Sequence, residues 1–139
     1  MTDIRHPLAL QDPELTDEAI RRLVTTFYGR ARQDDLIGPI FNAAVADWDD
    51  HLGKITDFWS SMLLKTNRYN GRPMRPHFML GLKADHFDRW LALFEATARE
   101  LFAPELAAIF IIRARRIADS FEMNIATARG EIVRPRHSV

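Results

Sequence analysis

The sequence contains no cysteine, which excludes disulfide bonds, thiolate catalysis and cysteine-ligated metal sites. It has no run of about 18 apolar residues and no signal-peptide-like N-terminus, so we expect a cytoplasmic protein without a membrane partner. Net charge is also lacking, because 19 basic and 19 acidic side chains give a formal charge of +0. Such a balance offers no bulk attraction for nucleic acid, so no nucleic-acid partner is expected.

Several common site motifs are missing too. The HExxH motif of zinc hydrolases is absent, and no glycine-rich nucleotide-binding loop of the GxGxxG or GxxxxGK kind occurs. A helical di-iron site usually needs Glu-x-x-His pairs, but none of His51, His77 and His86 has a glutamate three residues before it. The serines lie in no triad-like motif. These absences leave aromatic and histidine positions as the features that can indicate function.

The composition predicts one soluble domain with many large rings. The chain has 139 residues, 47% of them hydrophobic, including nine Phe and three Trp. So many rings in a short chain indicate either a rich core or the lining of a pocket for a flat apolar ligand. We expect a loose lead-in over residues 1–15, a folded domain over 16–128 and a flexible tail over 129–139.

Four stretches have the apolar periodicity of amphipathic helices. The first is predicted over about residues 17–33, with Thr16 as its N-cap. A second begins at about Ala46, a third runs from about Ala84 to Phe102, and a fourth opens at Pro104. Gly38 and Pro39 are interpreted as a turn between the first two. No strand-like alternation occurs, so the predicted fold class is all-α.

A connector over Tyr69–Leu80 separates the second and third predicted helices. Pro73 and Pro76 disfavour helix there and stiffen the backbone. His77 follows at once and is succeeded by apolar residues. A histidine held on a stiff connector among apolar neighbours is a candidate metal or cofactor ligand, although a structural histidine is the common alternative.

Each of four further polar residues has an ordinary structural interpretation. Tyr28 falls on the apolar stripe of the first helix, so its hydroxyl needs an internal partner, which in a core tyrosine is a backbone carbonyl. His51 is at the edge of a stripe beside aspartates and suits a surface position as well as a ligand. Trp90 suits the core, and His86, next to Asp85 at a helix start, suits a capping or solvated position.

Six short motifs follow one another over roughly residues 15–128. They are Phe27-Tyr28, the stretch from Asp35 to Asn42, Trp48-x-x-His51-Leu52, Phe58-Trp59, Tyr69-Asn70-Gly71-x-Pro73 with His77, and His86-Phe87-x-x-Trp90-Leu91. Together they resemble the truncated haemoglobins of the third group. The resemblance implies a two-over-two helical sandwich, a shortened globin arrangement, that holds haem b (iron protoporphyrin IX).

The resemblance also implies roles for single residues. His77 is similar to the proximal iron ligand, and Tyr28, His51 and Trp90 match distal residues that meet a bound gas. A haem needs a deep apolar slot with little water. Arg75, with Arg72, is a candidate partner for the haem propionates, although a solvated loop arginine is the alternative. The residues expected to wall the slot are Phe27, Phe41, Leu52, Ile55, Phe58, Trp59 and Phe87.

Three functions remain open from the sequence. The first is a protein that binds dioxygen, nitric oxide or carbon monoxide reversibly at iron. The second is a haem enzyme for peroxide reduction or nitric oxide oxidation, which needs an external reductase because the chain has no flavin or nicotinamide domain. The third is a cofactor-free helical interaction domain whose aromatics are all core. The sequence gives no indication of oligomeric state.

Overall fold

The computed structural model describes residues 12–69 and 82–128. In these ranges the chain forms five α-helices and no strand, which confirms the all-α prediction. None of these helices combines the length and apolar character needed to cross a membrane. The predicted tail, most of the lead-in and nearly all of the connector lie outside the described residues. The helices are α1 (Asp17–Ala31), α2 (Gly38–Ala44), α3 (Trp48–Leu64), α4 (Ala84–Leu101) and α5 (Pro104–Ala128).

Side-chain caps fix the starts of α1 and α3. Thr16 Oγ1 accepts a hydrogen bond from the Ala19 backbone N–H at 3.1 Å, as predicted for the N-cap of α1. Asp47 Oδ1 likewise accepts a hydrogen bond from the Asp50 backbone N–H at 3.1 Å. This cap starts α3 at Trp48, slightly later than the predicted start at about Ala46.

The helix α2 occupies a stretch that the sequence indicated as a turn. Asp34 Oδ2 accepts the backbone N–H groups of Leu36 and Ile37 at 2.9 and 3.0 Å, so the chain after α1 is turned by a side chain. Helix α2 then begins at Gly38 and has a proline in its first turn. Asp34 Oδ1 also accepts from Arg89 Nη1 at 2.8 Å, which ties this corner to α4.

The helices pack as two pairs, α1 with α3 and α4 with α5, and the pairs meet where α1 contacts α4. This is the predicted two-over-two sandwich. The larger core cluster lies between the pairs and includes the fully buried rings of Phe27, Phe94 and Phe110. Burying each such ring contributes ~1.5–3 kcal/mol. The core therefore supplies most of the stability of the fold.

A smaller core cluster forms between the start of α4 and the second half of α5. Its buried members are Leu82, Phe87, Ala118 and Ile125. Trp90 is partly buried and packs against both this cluster and the larger one. The two clusters are thus connected through one large indole on α4.

Candidate functional site

A cavity of about 650 Å³ lies beside both core clusters and takes its lining from each. Its volume is within the range of ~300–1,000 Å³ that is usual for small-molecule sites. Most of the lining is aromatic or aliphatic, and several of its polar groups come from the start of α3. The lining residues are Tyr28, Ile37, Phe41, Ala44, Val45, Ala46, Asp47, Asp50, His51, Lys54, Ile55, Phe58, Trp59, Tyr69, Leu82, His86, Phe87, Trp90, Ile117, Ala118 and Phe121.

Most of the residues predicted for the site reach this cavity, and two do not. Phe27 is fully buried and lies behind the lining, with its ring 4.7 Å from that of Tyr28 and 5.7 Å from that of Trp90. Leu52 packs against the larger cluster. His77 and Arg75 lie outside the described residues. The predicted residues that do line the cavity are Tyr28, Phe41, His51, Ile55, Phe58, Trp59, Phe87 and Trp90.

Tyr28 brings a hydroxyl to the cavity. The Tyr28 residue is half-buried, and it lies in the cavity lining. Burial raises the pKa of Tyr28 to about 12, and a smaller effect of the neighbouring Trp90 indole lowers it. An indole N–H can only donate, so it favours the charged form of a tyrosine oxygen near it. Tyr28 of α1 and Trp90 of α4 therefore bring their polar atoms to the same part of the cavity.

The rings of Tyr28 and Trp90 are held by a continuous set of aromatic contacts. Trp90 stacks on Phe94 with ring centres 5.4 Å apart, and Trp59 stacks on the same phenylalanine at 5.3 Å. Phe27 meets Tyr28, Trp90 and Phe94 edge to face. Such contacts restrict ring rotation and contribute ~0.5–1.5 kcal/mol each beyond burial. The polar atoms at the cavity are therefore carried by rings with little freedom to move.

His51 lies at the same part of the cavity, with its ring centre 6.3 Å from that of Tyr28. Its ring also meets Trp48 edge to face at 5.5 Å. Burial, with a smaller effect from Lys54, lowers the pKa of His51 below its ordinary value of 6.5, and Asp50 opposes this only in part. The imidazole is therefore mainly neutral at pH 7. A neutral imidazole can donate a proton from one nitrogen and accept one at the other.

Some cavity residues were not identified as site residues from the sequence. Lys54 forms an exposed ion pair with Asp50 at 3.0 Å, and Tyr69 packs against Phe58 with ring centres 5.4 Å apart. Residues of α5 also contribute, although their periodicity indicated only an inward face. The periodicity of a helix shows which residues face inward, and it does not distinguish a packed neighbour from a cavity. The unpredicted members from α5 are Ile117, Ala118 and Phe121.

His86 both caps a helix and lines the cavity, and the sequence indicated only the first of these roles. Its Nδ1 accepts the Lys83 backbone N–H at 2.9 Å, which confirms a capping role at the start of α4. The same side chain is half-buried and lines the cavity.

The described part of the chain contains no group of three or more His, Asp or Glu side chains placed to hold a metal ion. A mainly apolar cavity between helices, with a few polar groups on aromatic rings, is typical of helical proteins that bind a small apolar molecule.

Comparison with known proteins gives the family. The family model of the bacterial-like globins matches residues 16–119 of this chain. The group 3 truncated hemoglobin of Campylobacter jejuni is 35% identical over 113 residues, covering 78% of this chain and 89% of that protein. The crystal structure of group III truncated hemoglobin from Campylobacter jejuni matches with a TM-score of 0.77 at 34% identity, covering 82% of this chain and 94% of that one.

The chain therefore belongs to the bacterial-like globins and, within them, to the truncated haemoglobins of group III. Membership of this family implies a haem cofactor and a diatomic gas as ligand.

Proposed function

We propose that this chain binds haem b in the cavity, with His77 as the iron ligand, and holds dioxygen or another diatomic gas next to Tyr28. The observation that carries the proposal is that Tyr28, whose pKa is raised by burial, and the Trp90 indole both line an aromatic cavity of about 650 Å³. A core tyrosine without such a role would be expected to bond to a backbone carbonyl away from open space.

The lining suits a flat apolar ring with a charged edge. Aromatic and aliphatic side chains from α2, α3, α4 and α5 form the walls. Lys54 brings an ammonium group to the lining, where it is available to a haem propionate. Arg75 remains a second candidate for that role by its position in the sequence.

Tyr28 is the group that we expect to meet the gas. When bound, haem supplies an iron that binds dioxygen and gives it partial negative charge. The Tyr28 hydroxyl can donate its hydrogen to an acceptor in the cavity that this side chain lines. The raised pKa keeps that hydrogen in place at any physiological pH. Hydrogen bonds to charged acceptors in a dry pocket are stronger than those in water.

A pair of histidine substitutions tests the cofactor assignment. His77→Ala should abolish haem binding, weaken it severely or leave an iron whose absorption spectrum lacks an imidazole ligand. His86→Ala is the comparison variant, and the haem that it binds should keep the wild-type absorption spectrum, because His86 does not hold the iron. An exchange of the two results would show that the wrong histidine has been assigned. A purified wild type without a Soret band, even after addition of haem, would favour a cofactor-free interaction domain.

A second candidate function is a haem enzyme that reduces peroxide, or oxidises nitric oxide, with electrons from an external reductase. The specific observation in its favour is that the pKa of His51 is lowered, so its imidazole can accept a proton at neutral pH. On this proposal His51 would take a proton from hydrogen peroxide. The imidazole would then be required in its neutral form.

His51→Leu should slow the reaction of the ferric protein with hydrogen peroxide by about a hundredfold or more. In the wild type the rate should fall as the pH drops below 6.5 through the lowered pKa of His51, because protonation removes the base. Stopped-flow absorbance measures both. A His51→Leu protein that reacts at the wild-type rate would leave gas binding as the function.

A further inference from the structure

His86 has a second nitrogen that its capping role does not use. The side chain lies in the first turn of α4, with Nδ1 turned to the Lys83 backbone N–H at 2.9 Å. Nδ1 is therefore an acceptor and carries no hydrogen. In the neutral ring the hydrogen must then be on Nε2.

This tautomer makes His86 a donor and not a metal ligand. A ligating histidine uses a nitrogen without hydrogen and donates from its other nitrogen to an oxygen atom. In His86 the nitrogen without hydrogen is already occupied by the backbone. Because Nδ1 is used at the helix start, Nε2 is the ring nitrogen of this cavity-lining side chain that remains for another partner.

A donor at the lining is satisfied by an acceptor. The residues of the smaller core cluster that line the same cavity are Leu82, Phe87, Ala118 and Phe121, whose side chains contain no acceptor atom. The carboxylates in the lining, Asp47 and Asp50, belong to the start of α3, and Asp50 is paired with Lys54. An acceptor brought by the occupant of the cavity would satisfy His86 best, and haem carries two carboxylates.

We infer that His86 binds a carboxylate of the cofactor through Nε2–H while Nδ1 caps α4. This inference rests on the proposed haem binding. His86 is then a cofactor-binding residue that joins the start of α4 to the edge of the haem and has no part in holding the iron.

Three variants separate the cap from the carboxylate contact. His86→Gln can accept the Lys83 N–H and still donate, so it keeps both interactions. His86→Glu keeps the capping acceptor, for which glutamate is favoured at this position, but places a negative charge toward the carboxylate. His86→Ala removes both. Urea unfolding of the apo-proteins should give His86→Glu the wild-type stability and His86→Ala a lower one.

The decisive measurement is the rate of haem loss to an excess of apomyoglobin, followed by absorbance. With haem b, His86→Glu should lose the cofactor about tenfold faster than wild type, and His86→Ala faster by a smaller factor. His86→Gln should stay within about twofold of wild type. The same series is then loaded with an iron porphyrin that has ethyl groups in place of both propionates. With this carboxylate-free porphyrin, His86→Glu and the wild type should lose the porphyrin at equal rates.

Two results would overturn the inference. One is a wild-type rate of haem b loss in His86→Glu. The other is equal acceleration with the carboxylate-free porphyrin, which would assign the effect to the cavity wall. Failure of the proposed function is distinct from both, because the wild type would then give no Soret band with haem b.

Discussion

Tyr28 shows how a single side chain can link the core to the site. Its ring packs on the core, since Phe27 meets it edge to face and Phe94 stacks on the neighbouring Trp90. Its hydroxyl lies at the cavity, where burial raises its pKa to about 12. The hydroxyl therefore keeps its hydrogen and can donate it to a ligand in the cavity.

Removing this donor should distinguish dioxygen from carbon monoxide. Tyr28→Phe should speed dioxygen release about tenfold to a hundredfold, because a hydrogen bond to a charged acceptor contributes ~1.5–3 kcal/mol. Carbon monoxide release should change little, since that ligand carries much less charge at its outer atom. Trp90→Phe removes a second donor from the cavity lining and should have a smaller effect in the same direction. Stopped-flow dissociation of both gases makes the comparison.

The two gases serve as each other's control. Similar acceleration for both would mean that the substitution has opened the pocket and not removed a hydrogen bond. Unchanged dioxygen release in both variants would contradict the distal role proposed for Tyr28 and Trp90.

At the scale of helices, the backbone at the start of α2 lies very close to the backbone at the end of α1, and this explains the glycine at position 38. A Cβ atom on Gly38 would lie only 2.6 Å from the Arg32 carbonyl oxygen. That oxygen is backbone and cannot move aside easily, so glycine allows the start of α2 to lie against the end of α1. Phe41, on the same short helix, reaches the cavity as a result. Gly53 in α3 has nothing within 4 Å of its position for a Cβ and therefore has no such requirement.

These two glycines form a matched pair for a stability test. Gly38→Ala should lower the free energy of unfolding by ~1–3 kcal/mol, because the added methyl group overpacks the corner. Gly53→Ala should raise it by up to ~1 kcal/mol, because alanine favours the interior of a helix. Urea unfolding of the apo-proteins measures both. Equal destabilisation by the two substitutions would show that the corner has room to relax.

The sequence predicts what is periodic or locally capped, and it misses what depends on contacts between distant segments. The four long helices follow from apolar spacing, and Thr16 was identified as a cap by its chemistry alone. Helix α2 was missed because its seven residues are too few for a period and Gly38 and Pro39 usually mark a turn. The resemblance to the family indicated Tyr28 and Trp90 as site residues. Their proximity, and the position of Phe121 at the cavity, depend on helix packing that no local pattern encodes.

At the scale of the whole molecule, the cavity makes stability depend on its occupant. A ligand that binds only the native state adds about 4 kcal/mol when its concentration is a thousandfold above Kd. The haem-loaded protein should therefore melt well above the apo-protein in a thermal scan. The difference in melting temperature between loaded protein and apo-protein should be smaller in His77→Ala, because that variant lacks the proposed iron ligand. Equal melting temperatures for loaded and unloaded wild type would mean that the aromatic residues serve only as core.

The division of the core into two clusters also bears on local stability. The larger cluster draws on all five helices. The smaller one has four buried residues, and three of them, Leu82, Phe87 and Ala118, also line the cavity. An occupant of the cavity therefore adds contacts to a large share of the smaller cluster. We expect amide protons around that cluster to gain more protection from exchange on ligand binding than those of the larger one.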